Sequence, residues 1–140
     1  MVSYAQNKDI SAFLKAGSSA AAAGTNGNTY AGTAFDARDY QSALLTLAVG
    51  SATGSPTSYS VTVTIEESDA SGSGYAAVSG FELAADDGDG AGAYSLPINL
   101  SARKRYVRVS VAIVTAGGTS PTVPFGTILV GSGGYDLPTS

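Results

Sequence analysis

The sequence predicts an all-β domain, an antiparallel β-sandwich or jelly-roll-like fold, and three observations carry that expectation. In Arg103–Thr115, RKRYVRVSVAIVT, Val107, Val109, Val111 and Ile113 fall on one side of an extended chain, and Tyr106, Arg108, Ser110, Ala112 and Val114 on the other. Period-two alternation in β-branched residues marks a strand with one face in a core. Thr57–Glu66 repeats the pattern, with Tyr59, Val61, Val63 and Ile65 set against Ser58, Ser60, Thr62, Thr64 and Glu66. Clusters of Gly, Pro, Ser and Asp then interrupt the chain at short intervals, which is the rhythm of a sandwich, jelly roll or barrel.

Taken in order, residues 1–34 read as an N-terminal arm and residues 35–140 as the β-sandwich domain. Within the arm, Asp9 can cap a short helix, Ile10, Phe13 and Leu14 share one helical face, and Gly17 can end it. The stretch AGSSAAAAGTNGNTYAG that follows is rich in small residues, with Asn26–Gly27 as a turn signal, and reads as a segment ordered by a partner. A first strand around Asn28–Phe35 is the competing reading. Ser42–Val49 places Ala43, Leu45, Leu47 and Val49 on one side. Gly74–Ala84 is a less regular strand in which Gly80 marks a bulge. Tyr94, Leu96, Ile98 and Leu100 alternate with polar positions and with Pro97, which cannot donate a ladder bond and so places this strand at an edge. Val123, Phe125 and Leu129 of the last strand oppose Ile128 and Val130. The Arg103–Thr115 strand is expected at the centre, its outer side covered by the arm or a neighbouring subunit.

The chain has 140 residues, enough for one core, and 44% of them are hydrophobic. Only 13% are charged, against roughly 25% in an ordinary soluble domain. Gly, Ser, Thr and Ala therefore take the place of charge on part of the surface, a composition compatible with burial against partners. The net charge of −4 argues against a general nucleic-acid binder. Four of the seven basic residues, Arg103, Lys104, Arg105 and Arg108, nevertheless sit close together. With no Cys and no His, disulfides and the usual zinc or haem ligands are excluded. No apolar run reaches the length of about 18 residues that a membrane helix needs, and MVSYAQNKDI lacks the build of a secretory signal.

The carboxylates and glycines give no reaction. Asp86-Asp87-Gly88-Asp89-Gly90 has the oxygen donors a hard cation prefers, but lacks the EF-hand spacing and reads as turn chemistry. Gly88-x-Gly90-x-Gly92 lacks the following helix that a phosphate loop requires. Glu66 and Glu67 point to opposite faces of a strand, which separates them as a hydrolytic pair. The serines have no His base and no nucleophile elbow. No enzyme, cofactor, metal site, small-molecule substrate, nucleic acid or membrane partner is expected. The partner-contact candidates are Tyr4, Phe13 and Leu14 in the arm, and Arg103, Lys104, Arg105 and Tyr106 at the start of the central strand.

The order of segments carries a resemblance. SYAQNKDISAFLKAG precedes the Ala/Gly-rich stretch, then come YSVTVTIEES, DASGSGYAAVSG, RKRYVRVSVAI and a closing ILVGSGGYDLP. This layout resembles the small head decoration, or cement, proteins of tailed bacteriophages. The resemblance implies a β-sandwich or jelly-roll subunit, a homotrimer, seated on the capsid exterior of the virion after assembly in the host cytoplasm. There it would bridge neighbouring copies of the major capsid protein and stabilise the head. The alternative is a tail or appendage β-sandwich that binds a receptor or carbohydrate.

Overall fold

Residues 14–134, the part that the computed structural model describes, fold into nine β-strands with no helix. They are β1 (Leu14–Thr25), β2 (Thr29–Ala31), β3 (Phe35–Asp36), β4 (Tyr40–Val49), β5 (Ser58–Ser68), β6 (Ala76–Asp86), β7 (Gly92–Asn99), β8 (Tyr106–Ala116) and β9 (Thr122–Gly134). The antiparallel pairings nest: β1 with β9, β2 with β8, β4 with β7, β5 with β6. A ribbon paired in this way and rolled over on itself brings β4 beside β9 and β5 beside β8. The result is two facing sheets, β1-β9-β4-β7 and β2-β8-β5-β6, with β3 also paired to β8. That strand order is a jelly roll.

The core lies between the sheets and is built from the alternating positions. Leu45, Leu47, Val123 and Leu129 of the first sheet meet Val61, Val63, Ile65, Val107, Val109, Val111 and Ile113 of the second, all fully buried. β7 is an edge strand, as its Pro97 requires. Gly80 has φ +91°, and the β5–β6 register jumps from Thr64↔Glu82 to Glu66↔Ala77 across it, so β6 carries the expected bulge. β8 is interior, flanked by β5 on one side and by β2 and β3, end to end, on the other.

The Ala/Gly-rich segment differs from its reading as part of an arm. Residues 14–25 form β1 and residues 29–31 form β2, so this stretch contributes to both sheets. The helix placed on Asp9, Ile10 and Phe13 lies outside the described residues, as does the contact assigned to Tyr4. Leu14 and Gly17, the last positions of that helix, are strand. Small side chains suit β1 because it runs very close to the opposite sheet. A Cβ added at Gly24 would sit 2.6 Å from the Ile113 side chain, and one at Gly17 would sit 2.9 Å from the Phe35 ring. Ala20 and Ala22 pack on the core between them.

A buried hydrogen bond joins the sheets here. β2 pairs with β8 at residues 110–112 and β3 at residues 106–107, which leaves the Val109 N–H between them without a strand partner. A bulge in β1, where Ala16↔Val130 gives way to Ser19↔Ile128, turns Ser18 inward, and its hydroxyl accepts that N–H at 3.1 Å. Higher up, the Asn26 Oδ1 accepts the Thr115 N–H at 2.8 Å, closing the same flank at its other end. Ser18→Ala removes the acceptor of a buried donor and is expected to cost about 1–3 kcal/mol in urea unfolding, with Ser19→Ala, on the outer face, near neutral. Gly24→Val drives two methyl groups into Ile113 and is expected to cost about 1–3 kcal/mol or more, while Ala23→Val, pointing outward, costs little. Equal effects within either pair, measured by the same melts, would contradict the close approach of β1.

Candidate interaction surface

The two ends of the sandwich differ in charge. Loops 37–39, 69–75 and 100–105 gather at the end where β8 begins, and with them the cations singled out in the sequence. Each has a carboxylate. Arg103 Nη1 lies 3.6 Å from Glu67, Lys104 Nζ 3.1 Å from Asp69, Arg105 Nη2 3.0 Å from Asp36 and Arg108 Nε 2.7 Å from Glu66. Glu67 also accepts the Lys104 backbone N–H at 2.9 Å. The guanidinium groups lie over aromatic rings as well: Arg103 over Phe81, Arg105 over Tyr106 at 5.0 Å, and Arg108 over Tyr75 at 4.0 Å. The structure thus brings Arg103, Lys104, Arg105 and Tyr106 together, and joins them to residues of β3 and β5 in a belt of internal pairs. Their charge is largely neutralised before any partner arrives.

At the opposite end the charged residues are Asp86, Asp87 and Asp89, and their carboxylates are engaged with backbone. Asp86 Oδ1 accepts the Gly88 and Asp89 N–H groups, Asp89 Oδ2 accepts the Asp86 N–H, and Asp87 Oδ1 accepts that of Tyr59. These are turn and strand-end caps. Among the described residues no group of three or more acidic, His or Cys side chains is placed to hold a metal.

Beside this end, two of the loops that cross between the sheets, residues 50–57 and 117–121, are tied to each other. Thr53 and Thr122 exchange both backbone hydrogen bonds, and Thr119 N–H donates to the Gly54 carbonyl at 2.9 Å. Each loop carries a Ser-Pro-Thr, Ser55–Thr57 and Ser120–Thr122, and both serines take the left-handed conformation, φ +53° and +45°. A pair of strained residues held by reciprocal bonds makes a stiff end.

The outer face of β1-β9-β4-β7 has a different character. The four strands contain one charged residue, Lys15, which alternates away from that face. One row across the sheet reads Ala16, Val130, Leu44, Pro97, and the row above it Ser19, Ile128, Thr46, Ser95. Leu44 is 44% exposed and Leu14, at the near end of β1, 38%. Two shallow grooves of about 430 and 570 Å³ run along the face, the first lined by Leu14, Leu44, Pro97 and Val130. Of the sequence candidates, Leu14 therefore belongs to this surface, far from the ion-pair belt in character.

Leu44, Ile128 and Val130 were not among the sequence candidates. The signal was present: Leu44-Leu45 and Ile128-Leu129-Val130 are apolar on consecutive positions, which puts apolar side chains on both faces of the sheet.

The fold has solved counterparts. The crystal structure of the PBSX exported protein XepA matches over 93% of this chain with a TM-score of 0.54 at 15% identity. The chain spans 40% of the length of that protein. A Desmodium yellow mottle tymovirus chain aligns over 91% of each chain at 10% identity, with a TM-score of 0.36. No family model matches the sequence, and no curated protein matches it. The likeness to XepA is one of fold.

Asp36 is the group whose titration the belt governs. Two hydrogen bonds from Arg105, at 3.0 and 3.2 Å, hold its carboxyl below the usual carboxylate range, and the Arg38 N–H adds to them against the opposing effect of burial. A lowered folded-state value means stability that is fully present above the unfolded value of about 3.9 and is lost as pH falls through the folded one. The difference in melting temperature between the wild type and Asp36→Asn is therefore expected to be full at neutral pH and to close below about pH 4. A gap that stays constant down to pH 2 would show that the pair contributes nothing.

Proposed function

We infer that this chain is a non-enzymatic structural protein of a virion, a head decoration protein that attaches to the outside of an assembled capsid and stabilises it through subunit contacts. The observation that carries the reading is the uncharged sheet face, four strands wide. A broad uncharged surface with only shallow, open grooves fits a macromolecular neighbour, whereas a small ligand is held in an enclosed pocket with a few convergent polar groups. The internal consumption of charge in the belt and the acidic turn supports it, since those groups are occupied in holding the fold. The likeness in fold to a phage exported protein and the resemblance in segment order to phage cement proteins point the same way. Jelly rolls serve as building blocks of viral capsids, although the fold also occurs in lectins and enzymes.

The partners on this reading are the major capsid protein and other copies of this chain. Attachment would come from many weak contacts made at once, with symmetry and multivalency giving durability. The receptor- or carbohydrate-binding alternative is less well supported, because Tyr30, Tyr40, Tyr59 and Tyr94 are partly buried against the core, where they cannot serve as a row of stacking platforms.

The test is sedimentation of the purified protein with capsids that lack it. Saturable co-sedimentation and a rise in the temperature at which the capsids open are expected. Protein that stays in the supernatant at every concentration, or that binds a glycan array saturably in place of capsids, would overturn the reading.

A further inference from the structure

We propose that the outer face of β1-β9-β4-β7 packs against the same face of a second copy of this chain. The proposal rests on the reading above only in taking that face to be an interface. It goes further by naming the occupant, another copy and not the capsid.

Charge decides the choice of surface. Two identical surfaces that meet across a two-fold axis oppose each charged group to its own kind or to whatever lies beside it. The end that carries Asp86, Asp87 and Asp89 would repel its copy. The outer face of the other sheet carries Glu66, Glu82 and Arg108. The face of β1-β9-β4-β7 presents Leu44, Ile128, Val130 and Pro97 among Ala, Ser and Thr, so it buries no charge when it meets itself. Its hydroxyl groups are partly satisfied within the sheet, since Thr46 Oγ1 donates to the Ile128 carbonyl at 3.2 Å and Ser42 Oγ to that of Ser132 at 3.4 Å.

Area and shape agree. Four strands at about 4.8 Å spacing and rows of about eight residues at about 3.4 Å give a footprint of about 500 Å² per copy, hence about 1,000 Å² for the pair, the threshold of a specific interface. A flat twisted sheet finds its natural counterpart in another sheet crossed at about 30°. Around a three-fold axis the face would have to meet an edge or an end in place of its own copy, so the expected unit is a dimer and not the trimer that the phage resemblance implies.

The experiment measures mass by light scattering and analytical ultracentrifugation of the full chain, without capsids, from about 1 to about 200 µM, the range where an interface of this size dissociates. A reversible monomer–dimer equilibrium is expected. Leu44→Asp and Ile128→Asp, each placing like charges in the pair, should weaken it by about 100-fold or more, while Val114→Asp, on the other sheet, leaves it unchanged. Melting curves of each variant verify that the fold persists, and for any variant that fails to fold, Thr46→Asp on the same face replaces it. A monomer at every concentration, whether the face is bare or held by residues 1–13 of the same chain, overturns the proposal. So does a trimer, or a dimer that Val114→Asp breaks and Leu44→Asp does not. Loss of capsid sedimentation with an intact dimer in Leu44→Asp would assign the face to the capsid, overturning this proposal while leaving the decoration reading in place.

Discussion

The buried hydrogen bond from the Val109 N–H to the Ser18 hydroxyl is the contact on which the closed flank of this molecule depends. β8 needs partners for every second N–H along its outer edge, and the strands available there, β2 and β3, are three and two residues long. A buried amide without a partner costs as much as several ordinary contacts contribute. The bulge in β1 supplies the missing acceptor from the opposite sheet, and that brings the two backbones together. Gly17, Gly24 and Gly32 follow from it, because at each of them a methyl group would strike the neighbouring strand. The two sheets are drawn together along this flank, and β1 remains the edge strand of its own sheet.

Closure on one flank concentrates what the molecule can present elsewhere. Charge has been collected at the ends: paired cations and carboxylates where β8 begins, capped aspartates at the other. Ion pairs as exposed as Lys104–Asp69 contribute little to stability. Their larger effect is to keep basic groups from acting as a free patch on an acidic molecule. The outer face of β1-β9-β4-β7 is left to hydroxyls, methyls and a few large aliphatic side chains, which makes it the surface most unlike that of a free-standing domain, while the outer face of the other sheet keeps Glu66, Glu82 and Arg108.

Most of the β-framework was legible because period-two alternation is a local property. Val107 to Ile113, Val61 to Ile65 and Ala43 to Val49 all face the core as the pattern required, and Pro97 and Gly80 announced an edge and a bulge through their own backbone chemistry. β1 was not legible. A strand of Gly, Ala and Ser shows no alternation of hydrophobicity, and the reason it is built that way, the approach of Ile113 and Phe35, lies about 90 residues further on in one case and in a two-residue strand in the other. The belt was hidden for the same cause. Arg105 and Asp36 are 69 positions apart and Arg108 and Glu66 are 42 apart, so the sequence displayed a basic cluster without its acidic partners. Leu14 appeared as the last turn of a helix, and its place on the sheet face emerged only with the register Leu14↔Ser132.

A rigid body with an uncharged face associates differently from one with a charged patch. Long-range steering is weak, so encounter is slow and hardly depends on salt, and affinity must come from fit over the whole area. Fit of this kind needs little ordering on contact, since the face is held by ladder hydrogen bonds to a packed core and the crossing loops beside it are tied through Thr53 and Thr122. Each pairwise contact is then modest, near the lower limit of a specific interface, and becomes durable only when repeated in a lattice that presents many copies in register. In the proposed decoration role, such a surface would gain its strength from neighbours arranged by symmetry, with each pairwise contact measurable on its own in solution.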